Sequence, residues 1–358
     1  MNASRRRPLG LGAALVASAA LLAMPPAGSG TPAAAMVSAV TAWPQAQRGA
    51  VQPKLADGTD YKPGIFLDAH TSVGTADTPD GKFLRLLLLG ADDSVRELRR
   101  LPRQGHPSFQ TFALAGDDLV WVEGTGGGRP ALWAAGLKRA GAARQLSADV
   151  GRATFYQSQY DLVVAGGRVY WAAAGTADTT EVRSVALTGG PVRSQPQAGT
   201  WKLSAFPWLV DGVNQAAGAT RLRDLTTGRE VTVARAGKRA TTACGPAWCR
   251  VAALAKDGTN RIELMHPDGS GRERIAGDAA STIITDVAPL DRFEVLAQVG
   301  PTSELTGNSQ LIVFEIATRQ TIEISPDAGS VSYRDGVLWW TTGNLDGVVW
   351  HSLDLRTV

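Results

Sequence analysis

The chain is poor in the residues that most often build catalytic and metal centres. Only four of its 358 residues are histidine: His70, His106, His266 and His351. No two of them lie within ten residues, so neither H-E-x-x-H nor a similar zinc spacing occurs. They read as exposed loop histidines. The G-x-S-x-G turn of serine hydrolases is missing. Gly124-Thr-Gly-Gly-Gly128 has the glycines of a phosphate loop, but lacks the Gly-Lys-Ser/Thr and the helix that would present amides to phosphate. The acidic turns at Asp77 and Asp80, Asp92 and Asp93, and Asp117 and Asp118 lack the alternating ligands of a calcium loop. Aspartate favours turns for its own reasons. These absences leave no catalytic, cofactor-binding or metal-binding residue to assign, and no cofactor is expected.

Long hydrophobic runs are equally scarce. The one that stands out, Leu9 to Met24, is shorter than the roughly 20 residues needed to cross a bilayer. Arg5, Arg6 and Arg7 precede it, and small residues ending in Ala33-Ala34-Ala35 follow. That pattern predicts a secretory signal peptide over residues 1–35 and a secreted or cell-envelope protein. A leader that escaped cleavage would remain as an anchor. The leader also carries the chain's basic excess. The sequence has 36 Lys+Arg and 33 Asp+Glu, and residues 1–35 hold three Arg and no acid. The rest is balanced at 33 of each, which argues against a nucleic-acid partner. The dense basic run from Arg96 to Arg103 includes Glu97 and alternates like a solvated strand face.

Two cysteines are present, in Cys244-Gly-Pro-Ala-Trp-Cys249. Residues facing each other across a hairpin stand about 4.5–5.5 Å apart at Cα, a span that a disulfide tolerates. An exported chain favours oxidation, so Cys244 and Cys249 are expected to form a disulfide that pins the turn. A redox role would want two residues between them, not four.

What the sequence has in quantity is short strands. From Lys62 onward, runs of four to eight β-branched, aromatic or leucine residues alternate with Gly, Asp, Asn and Pro clusters every 8–12 residues. A sustained helical period is lacking. The unit strand, Gly/Asp turn, aromatic strand appears at Phe112–Val122, returns at Leu162–Trp171, and again at Val331–Trp340. First strands are predicted near residues 64, 109, 160, 203, 240, 283 and 329, at spacings of 37 to 51 residues. A four-stranded propeller blade has that period. The sequence therefore predicts an all-β fold, a β-propeller of seven four-stranded blades over residues 62–358, with six blades as the competitor. Residues 36–61 read as a linker. The last unit has three strands at most, so Val37–Trp43 is expected to supply its missing outer strand and close the ring. The ten Trp sit inside apolar runs at strand period and are expected to pack between blades.

Ile262-Glu-Leu-Met-His-Pro-Asp-Gly-Ser-Gly-Arg-Glu-Arg-Ile275 resembles the strand, Asp-Gly turn and strand of TolB-like propeller repeats. Thr78-Pro-Asp-Gly-Lys-Phe-Leu-Arg-Leu is similar, and Ala186-Leu-Thr-Gly-Gly-Pro-Val matches more loosely. The resemblance implies an exported WD40-like propeller that binds proteins or peptides and lacks catalysis in the propeller itself. Residues 36–60 are too few for the α/β domain that precedes a TolB propeller.

Two functions follow as expectations. The first is a non-catalytic, monomeric binding or scaffolding module for a protein, peptide or cell-envelope ligand, and so not an enzyme. The second is an extracellular glycosidase, lyase or lactonase with a site at the channel mouth. Asp68, His70, Asp211, Asn214 and Asp286, from the first strands of different blades, are the best candidates for that site.

Overall fold

A computed structural model describes residues 36–358, except 140, 213–214, 255–258, 278 and 345–346. The expected signal peptide lies outside the described residues. Among them no helix is long and apolar enough to cross a membrane.

The strands assemble into seven antiparallel blades, with about 52% of the chain in strand and 6% in helix. Their innermost strands are Lys62–Phe66, Ser108–Ala115, Val163–Ala165, Lys202–Leu203, Ala240–Cys244, Ala280–Thr282 and Val331–Arg334. Each lies within four residues of its predicted start. From the inner strand each blade zigzags outward through hairpins, so neighbours in sequence are neighbours in the sheet.

Burial explains the strand compositions. A second strand is covered on both faces by adjacent blades, so it reads as a continuous apolar run. Leu119, Val120, Trp121 and Val122 are consecutive and fully buried. Outer strands have solvent on one side, and Val95–Pro102 accordingly mixes exposed and buried residues. The apolar clusters lie between blades: Val120, Val122 and Leu132 of blade 2 pack on Val169, Trp171 and Val185 of blade 3. Full burial of one such side chain contributes about 2–3 kcal/mol. Aspartate-glycine turns sit where the repeat pattern put them. Asp268 Oδ1 accepts from the Ser270 amide at 2.9 Å, and Gly269 has φ +87°, which a side chain would disfavour.

Three expectations need correction. The ring closes between the chain ends, but the closing strand is Arg48–Val51, paired antiparallel with Gly347–Asp354 in blade 7. Val37–Ser38 instead adds a parallel fifth strand to the edge of blade 6. Residues 36–61 are thus part of the propeller and not a linker. Trp43 drives the difference: it stacks edge-on against Phe293 of blade 6 at 5.6 Å, which holds the preceding residues on that blade. Third, the run from Arg96 to Arg103 is not simply a solvated face. Arg96 donates to the Gly136, Leu137 and Arg139 carbonyls of blade 2. Arg99 pairs with Glu123 at 2.8 Å and lies 3.8 Å over the Trp133 ring. These arginines join blade 1 to blade 2.

The closing strand is packed tightly against blade 1. A Cβ on Gly49 would fall 1.9 Å from the Ala69 carbonyl oxygen, which also accepts a 2.6 Å bond from Ser352. Gly49→Ala is therefore expected to destabilise the propeller by about 2–3 kcal/mol through backbone displacement, read as a fall in the urea midpoint. An unchanged midpoint would show that this contact does not lock the ring.

Candidate channel site

The inner strand of blade 3 is interrupted. Val163 faces Tyr170, so a regular hairpin would place residue 160 opposite Ala173, but Ala153 stands there. Seven extra residues leave the sheet, cross the channel and return at Leu162. This bar folds on its own aspartate. Asp161 accepts from the Tyr156 amide at 2.9 Å and the Ser158 amide at 3.1 Å, while the Tyr160 amide bonds to Ser158 Oγ at 3.1 Å. Ser158 and Asp161 thus form a capping box around one turn of 3-10 helix, Gln159–Asp161.

Blades 6 and 7 hold the far end of the bar. Asp286 accepts from the Ser158 hydroxyl and, at 3.0 Å, from the Gln159 amide. Arg334, 9% exposed, donates to the Ser158 and Gln159 carbonyls at 3.0 and 3.3 Å, and to the Phe112 carbonyl of blade 2 at 2.6 Å. The Asp335 amide adds a bond to Gln159 Oε1. Blades 2, 3, 6 and 7 therefore meet on one segment.

Asp286 is itself positioned by a buried ion pair. Arg250 of blade 5 and Glu294 of blade 6 approach to 2.5 Å. Glu294, fully buried, accepts from the Ala288 amide, and Arg250 donates to the Ile284 and Asp286 carbonyls. Residues 284–288 are thus gripped from both blades. The turn that follows has positive φ at Ala288, Leu290 and Asp291, a conformation that persists only where its surroundings impose it.

On one side of the bar is a cavity of about 770 Å³. Its walls include Phe109, Phe112, Phe155, Ile283 and Ile284, and its polar groups include Lys62, Thr111, Gln157 and Thr285. Lys62, Phe109 and Val331 stand at the starts of inner strands, whereas Asp161, Asp286 and Arg334 lie deep beside the bar. The cavity is a cup whose mouth is the face where inner strands begin. On the other side a pocket of about 30 Å³ lies among Lys202, Tyr160, Asp286 and the Cys244–Cys249 hairpin.

The disulfide is formed, with Cα atoms 4.1 Å apart, and both sulfurs join the apolar cluster between blades 4 and 5. The four described candidates for a mouth site do not converge. Asp68 caps its own turn, accepting from the His70 and Thr71 amides. Asp211 binds the Thr220 and Arg221 amides within blade 4. Asn214 lies outside the described residues. Among the described candidates Asp286 alone reaches the channel, and there it anchors the bar. Among the described residues no three His, Cys, Asp or Glu are grouped to hold a metal ion. Two histidines differ from the exposed-loop expectation, His266 by being half-buried within its loop and His351 by lying in a strand. His266 stacks on Trp248 at 4.2 Å beside the disulfide, and His351 is bonded to Thr342 at 2.7 Å, where burial lowers its pKa. The bar itself was missed. Its one trace in the sequence is the longest spacing in the series, 51 residues between predicted starts 109 and 160.

No family model and no curated protein matches the chain. Solved structures do. A structure from a study of two prolyl endopeptidases aligns with 87% of this chain and 48% of its own, at 14% identity and TM-score 0.51. A puromycin-hydrolysing peptidase of Mycobacterium tuberculosis covers 79% and 49%, at 16% identity and TM-score 0.47. A putative TolB from Agrobacterium tumefaciens covers 73% and 93%, at 13% identity and TM-score 0.41. The chain spans about half the length of the two peptidases it matches. At these identities the likeness shows the propeller fold.

This finding overturns the expectation of a non-catalytic binding module and of a chain that is not an enzyme. That expectation rested on missing catalytic motifs. Where a propeller is about half of a peptidase, its own lack of such motifs says nothing against hydrolysis.

Electrostatics at the bar yield a pH prediction. Burial raises the Asp161 carboxyl to about 6, against the opposing pull of the Tyr156 amide, Arg334 and the Ser158 amide, with Asp286 adding to the rise. Burial also lowers Lys202 and Arg334, opposed by the charges of Asp286 and Asp161. The folded Asp161 holds its proton more tightly than the unfolded one. Its contribution is therefore full below about pH 4 and is lost as pH rises through 6, a span of up to about 3 kcal/mol. Asp161→Asn should remove this slope. The difference in urea midpoint between wild type and variant, followed from pH 4 to 7, measures it. A constant difference would contradict the assignment.

Proposed function

We propose that this chain serves peptide hydrolysis as a peptidase-type propeller, its blind cup taking up the substrate peptide through the face where the inner strands begin. The bar carries the reading: with residues 155–161 across the channel, the cavity receives a chain end or a short peptide and does not thread a strand through the ring. About 770 Å³ falls within the range of sites that enclose small ligands. Phe109, Phe155, Ile283 and Ile284 suit apolar side chains, and Gln157 and Thr285 suit peptide amides. Among the described residues the inner strands of blades 1, 2 and 7 at the cup have no strand partner on the channel side, so they can pair with an extended peptide. The likeness to the prolyl endopeptidase structure, of which this chain spans about half, supports a propeller working within hydrolysis. The proposed place of action is outside the cytoplasm, reached through a leader at residues 1–35, where the Cys244–Cys249 disulfide persists. The Pro-Asp-Gly turns at Thr78–Gly81 and His266–Gly269 support kinship with TolB-like repeats at the level of blade construction.

Calorimetric titration with tri- to hexapeptides tests the reading. Binding is expected, weakened at least about tenfold by Phe109→Ser, a half-buried wall position; because Phe109 also packs on Trp121, an unchanged circular dichroism spectrum is required of the variant. Mass spectra of the same mixtures report cleavage. Absence of binding to any of these peptides, or equal binding by the variant, would overturn it.

A further inference from the structure

Two side chains of the cup have no partner in the bar or the blades. The first is a cation without a counter-ion. Arg334 is nine-tenths buried at the cavity wall, yet its hydrogen bonds go to three backbone carbonyls, and among the described residues it forms no ion pair. Carbonyl oxygens satisfy the guanidinium's donors without cancelling its charge. Lys62, an exposed wall residue, also has no hydrogen-bond or ion-pair partner among the described residues. Asp161, Asp286 and Asp335 set negative charge against Arg334, so the Lys62 ammonium is the cation left without a counter-ion.

The second feature is an orphaned hydroxyl. The inner strand of blade 2 carries a bulge between Phe109 and Phe112, which places Thr111 at the cavity wall. Thr111 is 6% exposed, and its Oγ1 has no hydrogen-bond partner. A buried hydroxyl left unmatched costs about 1–3 kcal/mol. That cost is recovered if a ligand brings an acceptor and the side chain turns toward it. Bulges of this kind re-aim side chains beside functional sites.

From these we infer that the cup recognises the free α-carboxylate end of a peptide, with the Lys62 ammonium and the Thr111 hydroxyl as donors, and Phe109 and Phe155 against the terminal side chain. The inference rests on the peptide reading above and specifies which end of the peptide enters. The carboxylate meets a charged donor and a hydroxyl in a partly enclosed site, where both bonds are stronger than in water. A peptide amide of the same sequence lacks the charge and brings two donors to a site that supplies donors.

The test compares N-acetyl-Phe-Ala-Phe as free acid and as C-terminal amide, by calorimetry on the full chain at pH 7. The acid is expected to bind at least about tenfold more tightly, and raising salt from 50 to 500 mM should narrow the gap by screening. Lys62→Met, an exposed position that holds neither the bar nor a blade, should remove the preference while changing amide binding less than about twofold. Thr111→Val adds a control that a structural role would not reproduce. It should leave the free protein at least as stable, because the hydroxyl it removes has no partner, and yet weaken the acid. Equal binding of acid and amide, or a preference that survives Lys62→Met, overturns this inference and leaves the peptide reading standing. Failure of both peptides to bind overturns the peptide reading and the inference with it.

Discussion

Asp286 accepts hydrogen bonds from the Ser158 hydroxyl and the Gln159 amide, and these bonds run across the axis of the ring. Apart from those of the bar and of Arg334, the hydrogen bonds and ion pairs between described blades named above link a blade to its neighbours. The bar adds a brace along a diameter, from blade 3 to blades 6 and 7, with Arg334 extending it to the Phe112 carbonyl of blade 2. Remove the bar and the channel would be open from face to face. With it, one side becomes a cup and the other a pocket too small for more than a water molecule or two. Shape, mouth and floor of the candidate site all follow from this insertion.

The brace is costly to build, which explains the polar burial around it. Burying Asp286, Asp161, Arg250, Glu294 and Arg334 is tolerable only because each is hydrogen-bonded within the assembly. A buried ion pair is weak evidence of added stability. Its role here is positional: the Arg250–Glu294 pair fixes residues 284–288 so that the Asp286 carboxylate meets the bar. Stability comes from the apolar layers between blades and from the closing strand Arg48–Val51, which leaves no gap between blade 7 and blade 1. The ring supplies rigidity, and the bar shapes the cavity.

The sequence exposed the ring far better than the cup. Blades repeat because each must cover its neighbour, and that requirement writes a period of apolar runs and Asp-Gly turns that can be counted. All seven inner strands were legible for this reason, and so was the Cys244–Cys249 hairpin. Closure was half legible: an extra strand was needed, but Arg48–Val51 carries a weaker apolar pattern than Val37–Trp43 and escaped notice. The bar left almost no signal. Phe155 to Asp161 has neither strand nor helix period, and its partners Asp286 and Arg334 are more than a hundred residues away. Function was misjudged for a related reason. A propeller carries its own motifs only, and the prolyl endopeptidase structure that shares this fold is about twice its aligned length.

The most direct measurement is amide hydrogen exchange at the bar. The Tyr156, Ser158, Gln159, Tyr160 and Asp161 amides each have an acceptor: Asp161 for the first two, Asp286 for Gln159, and Ser158 for the last pair. They should exchange as slowly as the buried amides of Leu119 to Val122, opening only when the blades open. Exchange at the rate of an open surface loop, with the blade amides still protected, would show that the channel has no fixed floor and would contradict the account.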